Sequence, residues 1–329
     1  MATSRKKNNA GPVRYRLSKP EHGGQDWLNI RYQDEEGRRR ISASAAAAIY
    51  DRHPFVPADQ YAAEMLSGVA PVPTEPTWAM TRGNDLEPLC IKWANDRLGV
   101  NYHTPEELFC YDDHDRAIRL ISTLDGFWEA EHERKVLEIK TMNRQWSGEL
   151  PDYWRMQGIQ QAICADVDLV TWAVFDSSLQ LHIHQQPVTD DDKEGHLKAA
   201  SQWLSAIDLG MTPSGVEWSF STIQTRYPEP LDDDVVEVDG EYQDLIDQFK
   251  HVKSELKSYQ ELEDQLKARI CEAIGEHSAL SVNGTVVATW KAQARSSFDS
   301  KSFKADHPEL ADKYQRTVTV RTLLLKGAK

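Results

Sequence analysis

Asp125-Gly126, followed after a short run by Glu138-Ile139-Lys140, is a set of residue types that could cut a phosphodiester. On an extended strand successive side chains alternate between faces, so Glu138 and Lys140 project together while Leu137 and Ile139 point the other way. If Asp125 ends a neighbouring strand, its carboxylate meets that of Glu138 across the pair. Two carboxylates offer hard oxygen ligands to Mg²⁺, and the lysine stands where an attacking water or a scissile phosphate would lie. The spacing also suits the solvated face of an edge strand, a common outcome in a chain that is 27% charged. The α/β core predicted by the residues that follow favours the catalytic reading, as do further acids and amides placed where such a site would use them.

Those side chains need elements to hold them. Ile41 to Tyr50 is Ala-rich, with Ser42 or Ser44 available as an N-cap, and predicts a helix ended by Pro54 and Pro57. A second helix is expected over Pro57 to Leu66, then a loop marked by Pro71, Pro73 and Pro76. Thr81 to Leu98 carries Leu86, Leu89, Cys90, Trp93 and Leu98 at helical spacing, with Glu87 beside the stripe. From Phe109 to Lys140 the pattern becomes that of strands, with Asp125-Gly126 as a turn before Val136 to Thr141. Tyr153 to Ala165 predicts a helix, Leu169 to Phe175 and Leu181 to His184 strands, and His196 to Ile207 a closing helix. This order predicts an α/β fold, a mixed central sheet flanked by helices.

Composition divides the chain further. Residues 1–24 are polar and basic and are expected to be unstructured. The main domain is expected over 25–228 and a Pro- and Asp-rich linker over 229–240. A C-terminal extension over 241–329 opens with a long helix, Tyr242 to Ile274, whose apolar residues recur at intervals of three and four as in a coiled coil. Asn283-Gly284 predicts a hairpin turn, and a short helix (Ser300 to Tyr314) and a strand (Thr317 to Leu325) complete the extension.

Several function classes lose ground. No apolar run is long enough to predict a membrane span. Met1 to Lys19 lacks the apolar stretch of a secretory signal, so a cytosolic protein is expected. Cys90, Cys110, Cys164 and Cys271 are scattered without a C-x-x-C pair, which argues against zinc and against an iron–sulfur cluster. His182 and His184 read as a polar strand face. The net charge of −14 is unevenly spread: residues 1–40 carry ten Lys and Arg against five Asp and Glu, and residues 281–329 nine against four. An acidic chain can still act on nucleic acid where a local basic channel holds the phosphates and cations neutralise the site.

Four pieces resemble one family. Arg40-Ile41-Ser42-Ala43-Ser44-Ala45-Ala46 is similar to an R-x-x-x-G-x-S entry to a first helix, and Arg82-Gly83-Asn84-Asp85-Leu86-Glu87-Pro88 to an R-G-x-x-x-E-P helix motif. Asp125-Gly126 with Leu137-Glu138-Ile139-Lys140-Thr141 is the core motif, and Pro151-Asp152-Tyr153-Trp154-Arg155-Met156-Gln157 is similar to a P-x-Y-x-x-Q helix. In this order over roughly residues 38–225, they resemble the PD-(D/E)xK nuclease superfamily, specifically the lambda-exonuclease/YqaJ-type phage recombination exonucleases. The chain departs from the pattern at Ala43, where the family usually has glycine.

The resemblance implies a restriction-endonuclease-like fold with Asp125 and Glu138 as metal ligands. It adds the Ile139 carbonyl as a third ligand and Glu87 as a further carboxylate, direct or through water. Two Mg²⁺ ions are expected, with Mn²⁺ able to substitute. Lys140 would orient or deprotonate the attacking water, and Gln157 would orient Lys140 or the nucleophile. Ser44 and Arg40 correspond to the 5′-phosphate pocket, and Arg144 and Trp146, just past Lys140, are candidate DNA contacts. The implied reaction is 5′-to-3′ digestion of linear double-stranded DNA by a ring-shaped homo-oligomer. Its 3′ overhang would pass to a single-strand annealing protein. The rivals are a restriction-like or repair endonuclease on the same core, and a catalytically silent module that binds DNA or the annealing protein.

Overall fold

A computed structural model describes residues 11–131, 133–230, 235–294, 296–316 and 321–326. The chain divides into two compact units, one ending at Arg226 and the other starting at Tyr227.

The first unit begins with strand β1 (Val13–Ser18), helix α1 (Gln25–Tyr32), the short strand β2 (Ile41–Ser42) and a 3₁₀ helix (Ala43–Tyr50). Helices α2 (Ala58–Ser67) and α3 (Trp78–Leu98) follow, then strands β3 (Glu107–Asp113), β4 (Ile118–Ser122), β5 (Gly126–Ala130) and β6 (Glu133–Thr141). Helix α4 (Asp152–Ala165) leads to β7 (Leu169–Phe175) and β8 (Leu181–Pro187), and α5 (Asp190–Asp208) and α6 (Phe220–Arg226) close the unit.

The strands form two four-stranded sheets, ordered β1-β3-β4-β2 and β5-β6-β7-β8. Each mixes one parallel pair, β2 with β4 and β6 with β7, with antiparallel neighbours. The parallel β6–β7 pair is joined through α4, a β-α-β crossover. Helix α4 packs against β3, β4, β6, β7, α5 and the 3₁₀ helix, so it touches both sheets. Its sequence shows no single apolar stripe because it is enclosed on most sides, with Trp154, Gly158, Gln160, Gln161 and Ile163 all buried.

Within the first unit, three of the expectations above are revised. Of the stretch expected to be unstructured, residues 1–10 lie outside the described residues, but Val13–Ser18 forms β1 against β3. Tyr15 and Leu17 alternate with Arg14 and Arg16 and pack on Leu108, Cys110 and Ile121, an alternation masked by the basic composition around it. The Ala-rich segment is a 3₁₀ helix, with Ala43, Ala46, Ala47 and Ala48 buried beneath α4. Gly126 opens β5, so the predicted turn is the entry to a strand.

The α4–α5 contact contains a buried titratable group. His196 is 2% exposed. One ring nitrogen lies 3.0 Å from the Tyr50 hydroxyl and the other 3.1 Å from Gln160 Oε1. Gln160 Nε2 donates to the carbonyls of Ile41 (2.8 Å) and Ile121 (3.1 Å), tying the helix to the first sheet. Burial lowers the His196 pKa from 6.5 to about 4. The folded protein therefore resists a proton that the unfolded chain accepts, and stability is full above pH 6.5, falls as pH drops towards 4, and then levels off. The urea midpoint is expected to fall between pH 7 and pH 5, and His196→Gln is expected to flatten that fall. An unchanged slope in the variant would assign it to other groups.

In the second unit, helix α7 (Glu241–Ile274) precedes a hairpin of β9 (Ala279–Val282) and β10 (Thr285–Thr289). Asn283 (φ 52°) and Gly284 (φ 80°) occupy the left-handed region that a two-residue hairpin turn of this kind requires. The helix expected over Ser300 to Tyr314 is two, α8 (Ser300–Asp306) and α9 (Pro308–Lys313). Pro308 starts the second, as its missing N–H permits. Of the strand expected over Thr317 to Leu325, residues 317–320 lie outside the described residues and 321–325 form no strand. Residues 231–234 of the expected linker also lie outside them. Among the described residues, no helix is long and apolar enough to cross a membrane.

Candidate active site

Strand β5 pairs with β6 so that Gly126 faces Leu137. One more residue along this antiparallel register sets Asp125 opposite Glu138, which places both carboxylates on one face. Leu137 and Ile139 turn to the other face and pack with Cys90, Ile91 and Ala94 of α3. Helix α3 passes the end of β6 at Gly83, where an added Cβ would stand 3.6 Å from Thr141 Oγ1, and one turn later presents Glu87.

Glu138 is 2% exposed and has its charge met by three donors. Lys140 Nζ donates to Oε1 at 2.7 Å, Gln157 Nε2 to the same oxygen at 2.5 Å, and Gln161 Nε2 to Oε2 at 2.5 Å. Lys140 donates also to Gln157 Oε1 at 3.1 Å, which closes a triangle of lysine, glutamine and glutamate. The lysine ammonium lies 5.9 Å and 5.8 Å from the ring centres of Trp154 and Trp172, which stack on each other. Asp125 Oδ2 accepts the Ile139 N–H at 2.7 Å.

The electrostatics are those of crowded acids. Burial, then the charges of Glu138 and Glu87, hold the Asp125 pKa well above its ordinary value, against opposing effects of Lys140 and the Ile139 N–H. Burial also raises Glu87, with Lys19 lowering it and Glu138 raising it. For Lys140 burial works to lower the pKa, but the charges of Glu138 and Asp125 and the hydrogen bond to Glu138 outweigh it and leave the pKa raised. As placed, Lys140 is a cation bound to Glu138. The lowered pKa that a lysine base needs is absent from this arrangement.

The donor set suits a hard divalent cation. The first oxygen of Glu138 already accepts two hydrogen bonds and its second accepts one. Among the described residues nothing donates to Asp125 Oδ1. One lone pair on Glu138 Oε2, Asp125 Oδ1 and the Ile139 carbonyl are the oxygens left for coordination, and Glu87 adds a fourth within electrostatic reach. Among the described residues no group of three or more His, Cys, Asp or Glu side chains is gathered closely enough to hold a metal by side chains alone.

The other sequence candidates separate. Gln157 is at the centre, and Gln161, which shares its helix face, contacts Glu138 directly. Ser44 and Arg40 are not brought together. Arg40 is 5% exposed and donates to the carbonyls of Ile30 (3.0 Å) and Gln33 (3.4 Å) and to the Tyr15 hydroxyl (2.8 Å), a packing role. Ser44 Oγ instead accepts from Arg31 Nη2 at 2.5 Å. Arg31 lies over the Trp27 ring and, among the described residues, pairs with no carboxylate; burial lowers its pKa to about 10. Arg144 is exposed. Trp146 is held in its loop, its indole donating to the Glu149 carbonyl and its ring edging His182 and His184. His182 faces Asp176 at 3.1 Å and has a structural role. Arg82, quoted for its motif alone, has a buried Nε without a hydrogen-bond partner.

Glycine at 158 sets how closely α4 lies on the second sheet. A Cβ there would stand 3.1 Å from the Trp172 ring and run into the Gln186 side-chain oxygen. Gly158→Ala is expected to lower stability by about 1–3 kcal/mol and to shift the flanking amides of Gln157 and Gln161. Urea denaturation checks the first effect, and loss of cleavage exceeding the loss of folded protein checks the second.

The sequence of residues 26–168 matches the YqaJ-like viral recombinase domain, a span that contains every candidate from Arg40 to Gln157. This part of the chain resembles a YqaJ-like viral recombinase domain. No curated protein matches the chain. Among solved structures, an alkaline exonuclease from Laribacter hongkongensis is similar at 17% identity over 56% of this chain and 92% of its own, with a TM-score of 0.43. A phage-related exonuclease from Haemophilus somnus 129PT is similar at 14% identity over 52% and 95%, with a TM-score of 0.34. The matched span takes in Asp125, Glu138 and Lys140.

Proposed function

We propose that this protein is a divalent-metal-dependent 5′-to-3′ exonuclease acting on the ends of linear double-stranded DNA. The observation that carries the reading is Glu138, buried and oriented by Lys140, Gln157 and Gln161, opposite Asp125. Mg²⁺ or Mn²⁺ bound by Asp125, Glu138 and the Ile139 carbonyl, with Glu87 alongside, would supply charge stabilisation for in-line displacement at phosphorus. Gln157 and Gln161 fix the carboxylate's rotation. Lys140 holds a proton at Nζ and can present it towards a phosphate oxygen or an attacking water.

Preference for an end is supported by Arg31 and Ser44. A half-buried guanidinium with no carboxylate partner among the described residues, bonded to an exposed hydroxyl, suits an anion. Its 3₁₀ helix packs on α4, which carries Gln157. Arg31 thereby takes the place that the sequence assigned to Arg40, and the 5′-phosphate is the anion it would hold. A 3′ overhang, its transfer to a single-strand annealing protein and a ring-shaped homo-oligomer follow from this reading as its product, partner and assembly.

The test is digestion of linear duplexes with and without a 5′-phosphate, and of closed circular DNA, with Mg²⁺ or chelator. Metal-dependent mononucleotide release from phosphorylated linear ends is expected, the circle staying intact. Arg31→Ala is expected to lose roughly tenfold of the preference for phosphorylated ends, with cleavage of unphosphorylated ends unchanged. Cleavage of the circle would make the protein an endonuclease, and DNA binding without cleavage would make it a silent module.

A further inference from the structure

Past Thr141, the chain leaves β6 as a loop whose outward residues are polar: Asn143, Arg144, Gln145, Ser147 and Glu149 are all exposed. Its backbone is tied to the end of β7 by three hydrogen bonds. The Met142 N–H donates to the Phe175 carbonyl at 2.8 Å, the Ser177 N–H to the Arg144 carbonyl at 3.3 Å, and the Trp146 N–H to Asp176 Oδ2 at 3.0 Å. The third of these ends on a side chain. Asp176 is 1% exposed, and each of its oxygens has two partners. Oδ2 also lies 3.1 Å from His182 Nε2, while Oδ1 accepts the Ser178 N–H at 2.9 Å and the Ser178 hydroxyl at 2.5 Å. Hydrogen bonds, that of the Ser178 hydroxyl first and that of the Trp146 N–H next, hold its pKa below the ordinary aspartate value.

This clamp lies beside the candidate site. The sheet register pairs Lys140 with Val174 and Val174 with His182, so His182 stands on the face of Lys140, two strands and about 10 Å away. Arg144 comes four residues after Lys140, within about 14 Å of it along the chain. Its carbonyl is bonded to Ser177, and the Trp146 N–H two residues on is bonded to Asp176, so its backbone is held on both sides. Its side chain is exposed and, among the described residues, pairs with no carboxylate. A guanidinium without a counter-charge, on a pinned loop, suits a phosphodiester, which DNA presents about every 3.4 Å along each strand. We propose that Asp176 is a positioning residue for this reaction, an assignment that rests on the nuclease reading. It sets the loop after β6 so that Arg144 meets a backbone phosphate of the bound DNA beside the cleavage centre. Because folding has already ordered the loop, the cost of ordering it is not subtracted from binding.

Equilibrium binding of a short 5′-phosphorylated duplex by the full chain, in chelator and over a range of salt, tests the proposal without cleavage. Arg144→Ala is expected to weaken binding about three- to tenfold and to reduce the slope of log K against log salt by about 0.9. Asp176→Asn keeps the side chain's size but can turn an amide N–H against the Trp146 N–H, donor against donor. It is expected to show the same loss and the same reduced slope, and the double variant is expected to bind no more weakly than either single one. Ser178→Ala takes one hydroxyl from the carboxylate and leaves its other partners, and it replaces Asp176→Asn should that variant not fold. It is expected to weaken binding about two- to threefold when Arg144 is present, and not at all in Arg144→Ala. Unchanged affinity and slope in Asp176→Asn or Ser178→Ala, whatever their urea midpoints, would make the carboxylate a brace of the fold alone and overturn the proposal. Unchanged binding by Arg144→Ala, or losses that add in the double variant, would overturn it too. A parent protein that does not bind the duplex would instead overturn the nuclease reading, and this assignment with it.

Discussion

Glu138→Ala is expected to remove cleavage, by about a thousandfold or more, and to destabilise the protein as well. The carboxylate is the acceptor for Lys140, Gln157 and Gln161. Its loss leaves three donors converging on an empty space, with one cation among them. Breaking a buried pair by removing one partner costs about 3–5 kcal/mol, and the partial exposure of Lys140 places the expected loss at the lower end of that range. The catalytic loss has a separate origin, since removal of one coordinating or transition-state-stabilising group alone typically costs about 10²–10³ in rate. Glu138→Gln separates the two. The amide keeps the volume and offers one acceptor, so much of the stability is expected to return while cleavage stays absent. Urea denaturation and single-turnover digestion of a 5′-phosphorylated duplex measure the two effects. Cleavage by Glu138→Gln within a few-fold of the parent would remove Glu138 from the chemistry.

Lys140→Met is expected to lose cleavage by about 10²–10⁴ with little loss of stability. Glu138 keeps both glutamine donors in this variant, and the methionine stem covers the same faces of Trp154 and Trp172. DNA binding is expected to remain within tenfold, because one phosphate contact among many is removed. The expected contrast with Glu138→Ala is the informative part: on the proposed reading Glu138 would serve both fold and reaction, and Lys140 the reaction alone. Should Lys140→Met unfold as readily as Glu138→Ala, the lysine's part would be structural. Should it cleave normally, the proton would come from elsewhere.

Much of the site was legible because strand and helix periodicities are local. Alternation along β6 puts Glu138 and Lys140 on one face whatever the surroundings, and the helical repeat puts Gln157 and Gln161 on one side of α4. Asp125 needed one piece of pairing, and the hairpin supplied it within a dozen residues. Strand β1 was hidden because its alternation is short and set in a run of basic residues, while its pairing partner lies nearly a hundred residues away.

The proposed phosphate site shows where sequence reading stops. Arg31 and Arg40 are nine residues apart and chemically identical, and the motif pattern pointed to Arg40. Packing separates the two: backbone carbonyls and Tyr15 enclose Arg40, while α1 carries Arg31 to Ser44 with no carboxylate partner among the described residues. What the sequence by itself determined was therefore the acid–acid–lysine group, the amide-bearing helix beside it and the long apolar-striped arm, each following from spacing along one element. Only the tertiary structure decided which arginine meets Ser44, that Gln161 holds Glu138, and that α4 is shared by two sheets. These depend on groups far apart in the chain, and burial, not residue type, selects among equivalent side chains.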